Sequence, residues 1–143
     1  MKRTVTASGP ASPAEAWDRY AVPARWHEWS PPIVRVDTTG TRIVPGLAGV
    51  VHGIGGIRVN FLVEAVDEGA RTWRWRARLG PLEIVLDHGV TAVTAVTGTH
   101  GTHGTHGTDG VGGSSTWLTV SGPPLAVLVY PEIARISLRQ LVS

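Results

Sequence analysis

Residues 71–88 read RTWRWRARLGPLEIVLDH, in which large apolar residues alternate with charged ones on both sides of Gly80-Pro81. Alternation with a period of two indicates two β-strands, and a Gly-Pro pair suits a two-residue turn between them. This turn predicts four cross-strand pairs, two apolar and two of opposite charge: Trp73 with His88, Trp75 with Leu86, Arg74 with Asp87, and Arg78 with Glu83. A slip of one residue would place arginines opposite apolar side chains, so the pattern favours this register.

The preceding turn extends the sheet by one strand. Asp67-Glu68-Gly69 suits a three-residue loop with Gly69 in the left-handed region, which sets Val63 opposite Trp73 and Phe61 opposite Trp75. Two rows on one face of the sheet follow: Phe61, Trp75 and Leu86 form the first, and Val63, Trp73 and His88 form the second. An aromatic face of a sheet must be covered by another secondary-structure element. The pattern leaves open whether a filled core or a cavity lies beneath that cover.

The remaining elements can be placed by their start and stop signals. A short strand at residues 4–7 precedes a capping box, Ser12-Pro13-Ala14-Glu15, and a helix that places Trp17 and Tyr20 on one face. Pro23 begins a second short helix, with Trp26 and Trp29 one turn apart. Further strands are predicted at residues 33–37, 49–52, 57–66, 72–79, 82–93 and 116–121. We therefore expect an α+β fold, with about seven antiparallel strands, two short helices between the first two strands, and a C-terminal helix.

The C-terminal helix should begin after Pro123-Pro124. Pro131 is expected either to kink this helix or to start its final part, because proline lacks the amide that an interior position donates. If only the last 12 residues are helical, the helix is about 18 Å long. Any cavity beneath so short a helix would be shorter or more open than one beneath a longer helix.

Composition excludes several classes of protein. The 143 residues carry a formal net charge of +2, and the arginines alternate with acids, so the chain has no basic patch for a nucleic acid. The absence of cysteine excludes disulfides, thiolate metal sites and cysteine nucleophiles. No apolar run approaches the ~20 residues of a membrane span, and the first residues lack the apolar core of a signal peptide. We expect a single cytoplasmic domain over residues 1–143, without membrane insertion.

A low-complexity insertion occupies residues 94–113, between the last two predicted strands. It contains Gly-Thr-His three times and Gly-Thr-Asp once. The three histidines could align in an extended segment and bind zinc, nickel or copper. Nothing in the sequence fixes their geometry, and glycine makes the segment costly to order. We interpret it as a repeat expansion in a solvent-exposed turn and predict no metal site.

An ordered set of motifs resembles the START-like polyketide cyclase/dehydrase and lipid-transport proteins, the SRPBCC superfamily with the birch-pollen-allergen fold. The motifs are Ala11-Ser12-Pro13 followed by Trp17, Pro23-x-x-Trp26-x-x-Trp29-Ser30-Pro31, Pro45-Gly46, Arg71-x-Trp73-x-Trp75, Leu86-Asp87-His88 and Gly122-Pro123. The resemblance covers nearly the whole chain. It implies a helix-grip fold, in which a seven-stranded antiparallel sheet curves around a long C-terminal helix and encloses a hydrophobic cavity.

The resemblance also implies function classes. Members bind lipids, sterols or polyketide intermediates, and some catalyse cyclisation or dehydration without a cofactor. We expect a hydrophobic small molecule as partner and a monomer or homodimer. The outward arginines could meet a carrier protein that delivers a tethered substrate. A cofactor-independent polyketide cyclase or dehydratase of natural-product biosynthesis is the leading hypothesis. A non-catalytic binder or transporter of a lipid, polyketide or isoprenoid, and an interaction protein with a filled cavity, are the alternatives.

Candidate site residues follow from the inward face. His88 is the candidate catalytic residue, because imidazole titrates near neutral pH and shares a face with Trp73. A hydrogen-bonded core histidine is the alternative. Six residues are predicted to contact the ligand: Phe61, Trp73, Trp75, Leu86, Trp29 and Tyr130. No cofactor is expected.

Overall fold

The computed structural model describes residues 1–93 and 112–143, and the repeats of the insertion lie outside this range. Within it the strands are β1 (Lys2–Gly9), β2 (Ile33–Thr38), β3 (Ala48–Gly53), β4 (Arg58–Asp67), β5 (Thr72–Leu79), β6 (Leu82–Ala92) and β7 (Ser114–Ser121). The helices are α1 (Pro13–Ala21), α2 (Trp26–Trp29) and α3 (Pro124–Leu141), with short 3₁₀ segments at Pro23–Arg25 and Ile54–Gly56.

The strands form one antiparallel sheet in the order β1-β7-β6-β5-β4-β3-β2. Strands β2 to β7 follow one another as a meander, and β1 pairs with β7. Helix α3 packs on the inner face, chiefly against β1 and β7, while α1 and α2 occupy the connection from β1 to β2. This is the helix-grip α+β fold that the motifs predicted.

The β5–β6 register is as predicted. Trp73 pairs with His88 and Trp75 with Leu86, and Leu79 pairs with Leu82 around the two-residue turn. Gly80 has a φ of 59°, the positive value that the first position of a type II′ turn requires. Local turn chemistry and the cross-strand pattern thus agree, and together they determine the register.

The predicted β4–β5 register is wrong. Val63 pairs with Trp75, and Phe61 pairs with Ala77, a displacement of two residues. The loop is one residue longer than predicted, because Asp67 pairs with Thr72, and a register shift between Val63 and Ala65 adds a bulge. The left-handed residue is Arg71, with a φ of 56°, rather than Gly69. A shift of two residues preserves the strand face, so Phe61 and Val63 still point inward and are buried.

Helix α1 begins at the predicted cap. The Ser12 hydroxyl accepts a hydrogen bond from the Glu15 amide at 3.1 Å, as the capping box requires. The Glu15 carboxylate accepts from the Arg25 guanidinium at 2.9 Å, which joins α1 to the following 3₁₀ segment. Trp17 and Tyr20 are buried on one face of the helix, as predicted.

Helix α3 begins right after Pro123, close to the predicted start, and is not confined to the last 12 residues. It runs for 18 residues through Pro131, which is buried, so it extends about 27 Å rather than about 18 Å. Its C-terminal carbonyls are capped from α1, because the Arg19 guanidinium donates to the carbonyls of Leu141 at 2.6 Å and Ser143 at 3.0 Å. A cation at the C-terminal end also interacts favourably with the helix dipole.

The outer face of the sheet carries the predicted charge ladder. Arg74 donates to Asp87 at 2.7 Å, and Arg78 donates to Glu83 at 2.8 Å. Arg76 bonds both Glu64, at 2.9 Å, and Glu83, at 3.2 Å. The three arginines therefore have carboxylate partners within the sheet.

Candidate functional site: a cavity between the sheet and the C-terminal helix

A cavity of about 540 Å³ lies between the inner face of the sheet and α3. None of the described residues that line it is charged. The sheet contributes aliphatic and aromatic side chains, including Val51, Trp75, Ile84 and Leu86. Such a volume and lining are typical of sites for small apolar ligands. The sheet and α3 therefore enclose a cavity and not a filled core.

Small residues on α3 create part of this space. Ala126, Tyr130, Ala134 and Ser137 recur at helical spacing and line the cavity. Because two alanines and a serine stand where larger side chains would reach the sheet, the helix covers the aromatic face without filling the gap.

The cavity has an apolar mouth. Seven of its lining residues are large, hydrophobic and exposed: Ile54, Ile57, Leu79, Leu82, Leu125, Val129 and Ile133. They come from the connection between β3 and β4, the ends of β5 and β6 at their shared turn, and residues 125–133 of α3. Exposed apolar side chains in one contiguous rim mark a binding surface more often than scattered ones do.

A second, smaller cavity of about 40 Å³ adjoins the first. Six residues line both: Ser30, Ile33, Trp75, Tyr130, Ala134 and Ser137. The smaller cavity is also bordered by Trp29, Trp73 and His88. The Ser30 and Ser137 hydroxyls bond each other at 3.0 Å, and burial raises the pKa of Tyr130 to about 12, so its hydroxyl stays protonated.

A hydrogen-bond chain fixes the orientation of His88. The Thr116 hydroxyl donates to the Gly89 carbonyl at 2.9 Å, so it accepts from the Tyr20 hydroxyl, 2.6 Å away. The single Tyr20 proton is thereby used, and the Tyr20 oxygen accepts from His88 Nδ1 at 3.1 Å. Burial lowers the pKa of His88 to about 3, so the imidazole is neutral. The proton therefore lies on Nδ1, and Nε2 carries a free lone pair.

Three residues that border the small cavity carry a nitrogen with no hydrogen-bond partner among the described residues: His88 at Nε2, Trp73 at Nε1 and Trp75 at Nε1. The three rings are stacked, with centroids 4.9 to 6.2 Å apart. Other buried indoles are paired: Trp17 donates to Glu68 at 2.7 Å, and Trp26 and Trp29 each donate to a backbone carbonyl at 2.8 Å. The inner end of the site thus differs from the rest of the core.

Comparison with known proteins places the chain. Residues 2–135 match the family described as polyketide cyclase / dehydrase and lipid transport. The chain belongs to this family. The family resemblance inferred from the motifs is therefore confirmed, and with it a fold for hydrophobic ligand binding.

Solved structures agree at the level of the fold. A protein from Nitrosospira multiformis has a TM-score of 0.73 and is 15% identical in sequence. The match covers 99% of this chain and 94% of the Nitrosospira chain. XoxI from Bacillus cereus has a TM-score of 0.74 and 14% identity, covering 99% and 92%. Ara h 8.0201 has a TM-score of 0.66 and 16% identity, covering 99% and 94%. No curated protein matches the chain significantly.

The structure separates the predicted site residues into three groups. Trp75, Leu86 and Tyr130 line the large cavity. Trp29, Trp73 and His88 border only the small one. Phe61 faces inward but lies outside both, because its ring packs over Gly49 and stands 5.3 Å from Trp26.

Several lining residues were not predicted. Three of them line both cavities: Ser30, Ala134 and Ser137. The signal for this face was present in the helical spacing of small residues from Ala126 to Ser137. Sequence alone gave no reason to distinguish small residues that leave space from small residues that allow close packing.

In the part of the chain that the structure describes, no helix is both long and apolar enough to cross a membrane. The same residues contain no group of three side chains suited to hold a metal ion. The histidines of the insertion, at positions 100, 103 and 106, lie outside the described residues.

Proposed function

We propose that this protein binds a hydrophobic small molecule in the cavity between the sheet and α3. The observation that carries the proposal is the cavity itself: about 540 Å³, lined without charge and open through an apolar rim. Burying apolar surface contributes about 25 cal/mol per Å², so a ligand that fills this space gains most of its affinity from desolvation. Polar groups at the inner end would then select among apolar ligands.

The test is to fill the cavity from the sheet. Ala77 is buried, lines the cavity and points inward from β5, so Ala77→Leu should occupy space that a ligand needs. Ala65 is exposed on β4 and serves as the matched control. Titration with the neutral probe N-phenyl-naphthylamine, followed by fluorescence, should show saturable binding to the wild type and to Ala65→Leu. Ala77→Leu should bind at least ten times more weakly while folding normally. Equal affinity in all three proteins would refute the proposal.

A cofactor-independent cyclase or dehydratase is the second candidate. One observation favours it: His88 borders the inner end of the site, and its Nε2 has no partner in the part of the chain that the structure describes. A general base needs such a lone pair within reach of the proton that it removes. We rank binding first, because the lowered pKa of His88, about 3, makes the neutral imidazole a weak base.

Catalysis and binding can be separated at this residue. Under the catalytic hypothesis, His88→Ala abolishes turnover of a polyketide substrate analogue, whereas affinity for an apolar probe persists. A variant with full activity would remove His88 from any mechanism.

Because the outward arginines are already paired with carboxylates, a carrier-protein surface there has no support beyond the family's range of functions.

The cellular location and the biological role of the protein are also proposals. The cysteine-free composition is compatible with a reducing compartment, which supports a cytoplasmic location. A role in natural-product biosynthesis rests on the family alone, and the oligomeric state, monomer or homodimer, stays a prediction.

A further inference from the structure

The small cavity has a hydrogen-bonding pattern of its own. Three residues that border it carry a polar atom without a partner among the described residues: the indole N–H donors of Trp73 and Trp75, and the imidazole acceptor Nε2 of His88. The three residues are buried, with exposed fractions of 3%, 9% and 3%. Leaving such groups unpaired in the folded protein is unfavourable, so these atoms favour a partner that satisfies them.

The chain from Thr116 to His88 makes this pattern directional. Because Tyr20 donates to Thr116, its oxygen can only accept from the imidazole, and Nε2 is held as an acceptor. The polar end of a ligand must therefore accept from the indoles and donate to Nε2. A hydroxyl has one proton and two lone pairs, which match one acceptor and two donors. A ketone, an ether or a carboxylate offers no proton to Nε2.

The volume fits a group of this size. About 40 Å³ accommodates a single hydroxyl or a water molecule, whereas the apolar body requires the larger cavity. Trp75 and Tyr130 line both spaces, so one ligand can place its body in the first and its polar end in the second.

We propose that the small cavity is a hydroxyl-recognition site, and that the ligand is an apolar alcohol or phenol whose hydroxyl is bound by Trp73, Trp75 and His88. This inference rests on the proposed binding function and specifies its ligand class. Tyr20 and Thr116 act as positioning residues, since they fix the tautomer of His88 without contacting the ligand.

The experiment compares two isomers, n-decanol and methyl nonyl ether, as competitors of N-phenyl-naphthylamine for the full-length protein. Both offer an oxygen acceptor and a similar apolar body, but only the alcohol donates a proton. We expect the wild type to prefer the alcohol by about tenfold, the usual effect of one buried hydrogen bond. In His88→Phe, which keeps an aromatic ring against Trp73, the preference should disappear because only the alcohol loses a bond.

Two further variants separate recognition from structure. Trp75→Phe removes a donor that both isomers use, so it should weaken both and leave their ratio near the wild-type value. Trp17→Phe is the matched control, because the Trp17 indole bonds Glu68 away from both cavities, and neither affinity should change. Equal affinity of the two isomers for the wild type, or an unchanged ratio in His88→Phe, would overturn the inference while the proposed function stands. If neither isomer displaces the probe while the probe still binds, the inference alone is overturned; if the probe itself does not bind, both proposals are overturned.

Discussion

His88 is the residue whose meaning changes most between sequence and structure. From the sequence it is an inward imidazole with an ordinary pKa. In the structure it is buried, its Nδ1 donates to Tyr20, and its pKa is lowered to about 3. The groups that face it are the Tyr20 hydroxyl, the Trp73 and Trp75 indoles and, through Tyr20, Thr116. Among residues 1–93 and 112–143 no charged group bonds its ring, and desolvation by burial is the cause of the lowered pKa.

This burial predicts a pH dependence of stability. Unfolded His88 takes up its proton near pH 6.5, whereas folded His88 does so only near pH 3, so stability falls as the pH falls through this interval. The slope should be up to about 1.4 kcal/mol per pH unit. Urea unfolding between pH 7 and pH 5 should show this loss in the wild type and a much flatter profile in His88→Gln, which does not titrate. Parallel profiles would mean that His88 is accessible to protons in the folded state.

At the scale of elements, the sequence predicted what local chemistry determines. The β5–β6 hairpin was predicted residue by residue, because its turn and its charge pairs agree on one register. The β4–β5 pairing was not, because the bulge after Val63 and the left-handed Arg71 have no local signature. Pro131 left two alternatives open, and it lies inside α3 rather than at the start of a shorter helix, because tertiary packing of α3 on the sheet outweighs the local cost of an interior proline.

The C-terminal end of α3 docks on the end of β1, and this contact can be tested. A Cβ on Gly9 would lie 2.3 Å from the carbonyl oxygen of Val142, a backbone atom that also accepts from the Ala11 amide. Gly9→Ala should therefore destabilise the protein by about 1–3 kcal/mol through overpacking. Gly69→Ala is the control, because its Cβ would meet only Asp67 at an ordinary 3.5 Å. Thermal unfolding measures both; an unaltered melting temperature for Gly9→Ala would mean that the helix end is free to move.

At the scale of the whole molecule, the sheet, α3 and the aromatic face follow from the sequence, whereas the cavity does not. Periodicity identifies Trp75, Leu86 and Tyr130 as inward, but empty volume depends on how far α3 stands from the sheet. The volume is also bounded by small residues that are distant in sequence, such as Ala126 on α3 and Ala77 on β5. Phe61 shows the converse, since an inward aromatic packs on Gly49 and never reaches the cavity.

The described residues form the sheet, its helical cover and both cavities without residues 98–109. Ala92 and Ser114, which flank the insertion, already pair across β6 and β7. Deleting residues 98–109 should therefore leave the melting temperature and probe affinity within error of the wild type. Circular dichroism and the fluorescence titration measure both quantities. A collapse of either would show that the repeat supports the domain.

If an apolar ligand occupies the space between the sheet and α3, it must contact side chains that line this space. Intermolecular nuclear Overhauser effects between N-phenyl-naphthylamine and methyl-labelled protein detect such contacts. We expect them to the methyl groups of Ile84, Leu86 and Val51, which line the cavity, and none to those of Leu62, which is exposed and lies outside it. Contacts confined to exposed methyl groups, with none to Ile84 or Leu86, would contradict it.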